Sequence, residues 1–195
     1  MIQPFLITGL PRSRTAWLAA LANTVPGALC RHEPTQDWPA WQTCFTAWRE
    51  EAHPFAGFSD HVLGLHLAEI VREIGPRVLI VERDAASVER ALARVLPGVN
   101  TRPLLTVLVD RLRAARGLPG VKVVPFAALR HCSAAMDCLG HLLPGAAIDP
   151  AKVRAMLHLN VQADVGRTTE IATHRAGDVA AILGDDVMQL LMEAV

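Results

Sequence analysis

The stretch FLITGLPRSRTAWLAAL, Phe5 to Leu21, constrains this chain more than any other. Four apolar or β-favouring residues, Phe5 to Thr8, run into Gly9 and a polar turn, and an apolar helical pattern follows. This order predicts a strand, a loop of phosphate size and a helix N-terminus. The loop carries Arg12, Ser13, Arg14 and Thr15 where the first unpaired N–H groups of the helix point. Such a place suits a tetrahedral anion.

The same alternation continues downstream. Short apolar runs bounded by turn residues predict buried parallel strands at Phe5 to Thr8, Arg77 to Val81 and Val121 to Val124, with a weaker one at Ala28 to Arg31 and a fifth, weaker still, at Ala56 to Ser59. Helical patterns lie between them at Thr15 to Asn23, Asp37 to Ala52, Val62 to Ile74, Asp84 to Leu96 and Pro103 to Arg116. Strand and helix in alternation imply a parallel sheet covered on both faces. From Phe126 the pattern becomes helical, at Ser133 to Leu143, Pro150 to Leu159 and Asp185 to Ala194. Asp149 before Pro150 marks a helix start, aspartate as N-cap and proline at the first helical position. No linker precedes these helices, so they are expected to pack over the sheet within a single domain spanning residues 1–195.

Bulk properties narrow the function. The 51% hydrophobic and 19% charged residues exclude disorder. A formal net charge of zero leaves no global field to draw the chain to nucleic acid or an anionic membrane, so an anion site must be local. No apolar run reaches the roughly 18 residues of a membrane span, and no signal-peptide pattern opens the chain. A cytoplasmic protein is the expectation. Cys30, Cys44, Cys132 and Cys138 follow no metal or disulfide spacing and read as reduced, buried, small apolar residues. The scattered histidines show no metal spacing either.

The loop is not a Walker A motif, which needs G-x-x-x-x-G-K-[ST]. With Gly9 as the first glycine, the remaining positions fall on Arg14, Thr15 and Ala16, so the second glycine, the lysine and the metal-binding hydroxyl are missing. A magnesium-dependent P-loop kinase is thereby handicapped. Phosphate could instead be held without metal by the backbone N–H groups of Ser13 to Ala16, the Ser13 and Thr15 hydroxyls and Arg12. Charge-assisted bonds of about 1.5–3 kcal/mol each outweigh a helix-terminus term of about 0.3–1 kcal/mol, which makes Arg12 the largest determinant.

The run G-x-P-R-S-x-T-x-W-L, Gly9 to Leu18, resembles the 5′-phosphosulfate-binding loop of the sulfotransferases, a branch of the P-loop fold. PRSRTAWL is also similar to short sulfotransferase-like proteins of bacteria and their phages, as is LLPGAAIDPAKVRAMLHLNVQ. The resemblance implies a three-layer α/β fold with a central parallel sheet of four to five strands and a mostly helical C-terminal part. It implies that Pro11, Arg12, Ser13, Arg14, Thr15 and Ala16 hold 3′-phosphoadenosine-5′-phosphosulfate without a metal. Arg14 stands where the family usually has glycine, and Ala16 where it often has a hydroxyl. After the strand VLIVE, Arg83 matches the family arginine that contacts the donor's 3′-phosphate. The family's partner serine comes eight residues later, where this chain has Ala91; Ser87 comes four later and is the candidate replacement. The plain alternative is that Arg83 ends the strand and pairs with Glu82 or Asp84.

His32-Glu33-Pro34 ends the second strand, at the edge where open α/β sheets bind ligands. A hydroxyl attacking sulfur must lose a proton, and either His32 or Glu33 can take it. Ser59-Asp60-His61 ends the third strand near the same crevice. Asp60 either orients His32 or Arg12, binds acceptor, or caps the next helix. Trp38, Trp41 and Trp48 form a helical stripe that reads as core or as the wall of an acceptor pocket. Lys152, Arg154 and Arg167 are candidates for a basic closing loop. The expected activity is sulfuryl transfer to a hydroxyl or amine of a small molecule or glycan. Its rivals are a P-loop phosphotransferase and a non-catalytic nucleotide-binding or assembly protein, the latter favoured by Ala91 and Arg14.

Overall fold

The computed structural model describes residues 2–36, 40–49 and 52–159. At its centre lies a five-stranded parallel sheet: β1 (Gln3–Gly9), β2 (Ala28–His32), β3 (Phe55–Ser59), β4 (Arg77–Glu82) and β5 (Val121–Pro125). The strand order is β2-β3-β1-β4-β5, with every neighbouring pair parallel. All the expected strands are present, the weak one at β3 included. Inner strands β1 and β4 are the unbroken apolar runs of the sequence, because a strand covered on both faces has no polar side.

Seven helices cover the sheet among the described residues: α1 (Thr15–Asn23), α2 (Trp41–Trp48), α3 (Leu67–Ile74), α4 (Ala85–Ala93), α5 (Arg102–Ala115), α6 (Cys132–Leu142) and α7 (Pro150–Leu157). Successive strand residues point to opposite faces, and the core divides accordingly. Phe5, Ile7, Leu79 and Val81 pack with α1, α6 and α7. Leu6, Phe58, Val78 and Ile80 pack with α2, α3, α4 and α5. The result is a three-layer α/β/α arrangement.

Two helices depart from their expected form. Every residue of α1 is buried, where a helix covering one face of a sheet buries a single stripe. The C-terminal helices cover its outer side, and Trp17 Nε1 donates to Met156 O at 2.7 Å to join α1 to α7. The segment expected as one helix from Val62 to Ile74 begins as a 3-10 turn over Val62–His66 before α3. There the backbone runs close to β1: a Cβ on Gly64 would stand 2.9 Å from Thr8 Oγ1. Asp149 caps α7 as predicted, accepting from Ala151 N–H at 2.7 Å. The helix expected at Asp185 to Ala194 lies outside the described residues.

Trp41 is core, edge-on to Phe45, which in turn meets Phe58 at 5.2 Å between ring centroids. Trp38 lies outside the described residues. All four cysteines are free thiols; Cys30, Cys44 and Cys138 are buried, and burial pushes Cys44 and Cys138 up to about 11. Among the described residues no helix is long and apolar enough to cross a membrane.

One glycine decides whether β1 and β3 can pair. A Cβ on Gly57 would lie 2.4 Å from Phe5 O and 2.5 Å from the Phe5 ring, both held by the sheet. Gly57→Ala is therefore expected to lower unfolding free energy by about 1–3 kcal/mol, read from the shifted midpoint of a urea titration. An unchanged midpoint would show that the sheet can open there without cost.

Candidate functional site

The strand order turns outward in both directions from the β1 neighbourhood, toward β3 and β2 on one side and β4 and β5 on the other. Ligands of open parallel sheets sit at the carboxyl end of such a switch point. Here the loop after β1 opens onto a crevice of about 570 Å³ lined by Arg12, Arg14, His32, Glu33, His61 and Arg83. Pro11, Thr15 and Ala16 also line it, with an apolar wall of Leu92, Leu96 and Leu104 facing them. A larger open groove at the opposite end of the strands, beside Pro76 and Pro119, contains neither histidine nor carboxylate.

The loop is wound tightly. Arg12 and Arg14 both take left-handed backbone conformations, with φ of 63° and 62°. Each such non-glycine residue costs about 1–3 kcal/mol, and such outliers gather where function needs them. Glycine relieves this cost, which accounts physically for its use at the Arg14 position in the resembling loops. The first helical bond runs from Leu18 N–H to Arg14 O, so the N–H groups of Thr15, Ala16 and Trp17 precede the helical ladder. Ser13 is fully buried and its Oγ has no partner among the described residues. A buried hydroxyl without a partner is rare, and here it stands beside the helix start.

The two loop arginines do different things. Arg14 donates to Leu129 O at 3.0 Å and lies over the rings of Trp17 and Phe126. Burial first, and then Arg130, lower its pKa. Arg14 thus braces the loop against the turn after β5, whereas the sequence assigned it to the anion. The Arg12 side chain is exposed and makes no hydrogen bond or ion pair among the described residues. It is the free cation of the loop.

Ser59 organises the opposite wall. Its Oγ donates to Thr15 O at 2.8 Å, joining β3 to the start of α1. Its carbonyl oxygen lies 3.0 Å from His32 Nδ1 and accepts from Glu33 N–H at 2.8 Å. A carbonyl can only accept, so His32 Nδ1 donates to it and Nε2 is the ring nitrogen turned toward Glu33. That Nε2 lies 3.6 Å from Glu33 Oε1, and His61 Nδ1 lies 3.8 Å from the same oxygen. Glu33 stands between two imidazoles, on a left-handed backbone of φ 51°. The sequence places His61 at the end of β3 but gives it no role of its own. Its signal was position: β2 and β3 pair with His32 opposite Ser59, which brings His61 to the same strand end.

Asp60 is not the N-cap of the segment that follows, a position held by His61, but it fastens the turn leading into it. It is fully buried, accepts from Val62 N–H at 2.6 Å and from the Thr35 hydroxyl at 2.5 Å, and ties the turns after β2 and β3 together. Glu82 pairs with Arg116, and Asp84 caps α4 by accepting from Ser87 N–H at 2.8 Å. Arg83 instead donates to Arg12 O and stacks on Phe126, its carbon Cζ 4.3 Å from the ring centroid. Burial and then Arg12 lower its pKa, against a smaller opposing effect of Asp84. Ser87 accepts from Arg90 at 3.0 Å and lies just outside the main crevice. Lys152 and Arg154 lie on α7 and do not line the crevice, and Arg167 lies outside the described residues. No group of three or more histidine, cysteine, aspartate or glutamate side chains suits a metal among the described residues.

Sheet order, the loop after β1 and the three layers together define the α/β fold of the sulfotransferases. No family model matches the sequence, and no curated protein matches it. Among solved structures the fold is similar to mouse sulfotransferase SULT7A1 complexed with PAP, with a TM-score of 0.58. The two chains are 12% identical, over 99% of this chain and 89% of that one.

Proposed function

We propose that this protein is a sulfotransferase that uses 3′-phosphoadenosine-5′-phosphosulfate to sulfate a hydroxyl or amine of a small molecule or glycan. The observation that carries this reading is the left-handed Arg12–Arg14 loop, with its buried, unpartnered Ser13 hydroxyl, facing the His32–Glu33–His61 cluster across one crevice. The likeness to a PAP-bound sulfotransferase supports it at the level of fold.

The residues fit such a donor. Arg12, the Ser13 and Thr15 hydroxyls and the N–H groups of Thr15 and Ala16 would hold its 5′-phosphosulfate, with Pro11 and Arg14 shaping the loop. Arg83 and Ser87 would face its 3′-phosphate. When bound, the donor supplies the sulfuryl group. Arg12 and the helix N–H groups would stabilise negative charge on the phosphate side of the donor. His32 Nε2 takes the acceptor proton, and Glu33 stabilises the imidazolium that results. His61, on the far side of Glu33, is the second histidine that can do so. Leu92, Leu96 and Leu104 favour an acceptor with an apolar body. Free, buried thiols support placement in the cytoplasm.

Titration calorimetry or thermal shift with 3′-phosphoadenosine-5′-phosphate tests the reading. Saturable binding is expected; folded protein that binds none at millimolar nucleotide overturns it. A nucleotide-sensing or assembly protein on the same fold is the second reading, favoured by the engagement of Arg14 and Arg83 with protein atoms. It predicts nucleotide stabilisation that survives His32→Ala and Glu33→Ala, with no transfer to any acceptor in a broad screen.

A further inference from the structure

The exposed apolar surface of the described residues is concentrated in one place. Of their six exposed large apolar side chains, five are Val95, Leu96, Val99, Leu104 and Val107, on the turn after α4 and the first half of α5. Leu96 and Leu104 line the crevice; Val95, Val99 and Val107 do not, so an acceptor pocket leaves them unexplained. Every residue from Ala93 to Asn100 is exposed, and Val99 stands out at 58%. Single exposed apolar residues need no partner, but a patch rimmed by polar residues marks an interaction surface.

The turn presents these side chains with its own backbone donors satisfied. Val95 and Leu96 N–H groups donate to Leu92 O at 3.0 and 2.8 Å, and Val99 N–H donates to Leu96 O at 3.2 Å. Gly98, at φ 82°, supplies the left-handed step. Those three donors add no further cost when the turn leaves water.

Charge identifies what covers the patch. Between Glu89 and Asp110 lie twenty residues with three arginines, Arg90, Arg94 and Arg102, and no acid. Arg111 follows Leu104 at i+7 and Val107 at i+4, on the same face of α5. Glu89 pairs with Arg102 at 3.3 Å and Asp110 with Arg113 at 3.7 Å, while the Arg94 and Arg111 side chains make no ion pair or hydrogen bond among the described residues. The chain as a whole is neutral, so this excess is local. A second copy on the same patch would set like charge against like, with no carboxylate between them. An anionic lipid surface instead offers negative headgroups to the arginines and hydrocarbon to the valines and leucines.

We propose that the turn after α4 and the exposed face of α5 dock this protein on an anionic membrane surface, with the mouth of the crevice toward the lipid. Val95, Leu96 and Val99 enter the boundary between headgroups and acyl chains. Arg94 and Arg111 stay at headgroup level, as long cationic side chains do. Leu96 and Leu104 belong both to the patch and to the crevice wall, which makes the two surfaces continuous. The docking goes beyond the reading of the crevice as a sulfotransferase site and does not depend on it.

Co-sedimentation of the full chain with vesicles, without nucleotide, tests the docking. Vesicles of phosphatidylcholine with about 30% phosphatidylserine are expected to bind at least about 10-fold more tightly than phosphatidylcholine alone. The difference should vanish as salt rises from about 0.1 to 1 M, where the screening length drops from about 10 to 3 Å. Arg94→Gln with Arg111→Gln should weaken the anionic binding by about 10- to 30-fold, about fivefold per charge. Arg94→Lys with Arg111→Lys should stay within about twofold of the unaltered protein, because a surface potential reads charge and not the guanidinium fork. Val95→Ser with Val99→Ser keeps the charge and should lose about 10-fold. All four positions are exposed, so the melting transitions should be unchanged. Equal binding to the two vesicle types overturns the proposal, as do folded Gln and Ser pairs that bind like the unaltered protein. So does a chain that ignores vesicles and forms dimers in sedimentation velocity, which would give the patch to a second copy. None of these results bears on nucleotide binding, which is measured without lipid.

Discussion

His32→Asn is expected to lower sulfuryl transfer by about 100- to 10,000-fold while leaving the affinity for 3′-phosphoadenosine-5′-phosphate unchanged. The magnitude is that of a lost general base. The separation of effects follows from place: His32 lies at the end of β2, across the crevice from the anion loop, and touches none of its donors. Asparagine keeps an N–H for Ser59 O, so the turn around Glu33 stays bonded and the loss is chemical. His61→Asn provides the internal comparison. Both imidazoles stand against one Glu33 oxygen, at 3.6 and 3.8 Å, but only His32 has its tautomer set by a backbone carbonyl. The larger loss is therefore expected at His32; the reverse order would transfer the role to His61. Turnover unaffected by either change would remove catalysis from this cluster. The measurement is single-turnover transfer at saturating donor, with product nucleotide titrated in parallel.

Arg12→Ala is expected to weaken product-nucleotide binding by about 10- to 150-fold, the equivalent of one charge-assisted interaction of about 1.5–3 kcal/mol. Arg14→Ala should cost stability more than affinity, because its guanidinium is bonded to Leu129 O and stacked on Trp17 and Phe126. The contrast between two arginines separated by one serine is the sharp part of the expectation. Arg12→Lys should fall between Arg12→Ala and the unaltered protein, since lysine keeps charge but not the planar fork. Calorimetry gives the affinities and thermal melts without ligand give the stabilities. Equal losses of affinity at the two positions would mean that Arg14 swings into the crevice when nucleotide binds.

Much of the architecture was legible in the chain. Continuous apolar runs at β1 and β4 announced central parallel strands, and Asp149-Pro150 announced the start of α7. The loop was legible as an anion site because its hydroxyls and arginines are neighbours in sequence. The 3-10 turn after β3 was not, for there Gly64 packs so near Thr8 of β1 that a Cβ would not fit, a contact between residues far apart in the chain. The complete burial of α1 was hidden for the same reason: nothing within Thr15–Asn23 says that α6 and α7 will cover its outer side.

The partition follows the range of the interactions. Strand, loop and helix start are set by residues within a few positions of each other, so FLITGLPRSRTAWL by itself determined the order of elements and the location of an anion site. Which arginine is free to serve that site was decided by contacts the chain makes far from itself. Arg14 is bonded 115 positions away, Arg83 is bonded 71 positions away, and Ser59 reaches 44 positions back to hold α1 beside the histidines. Side chains have one set of donors each, and their allocation is a property of the packed sheet.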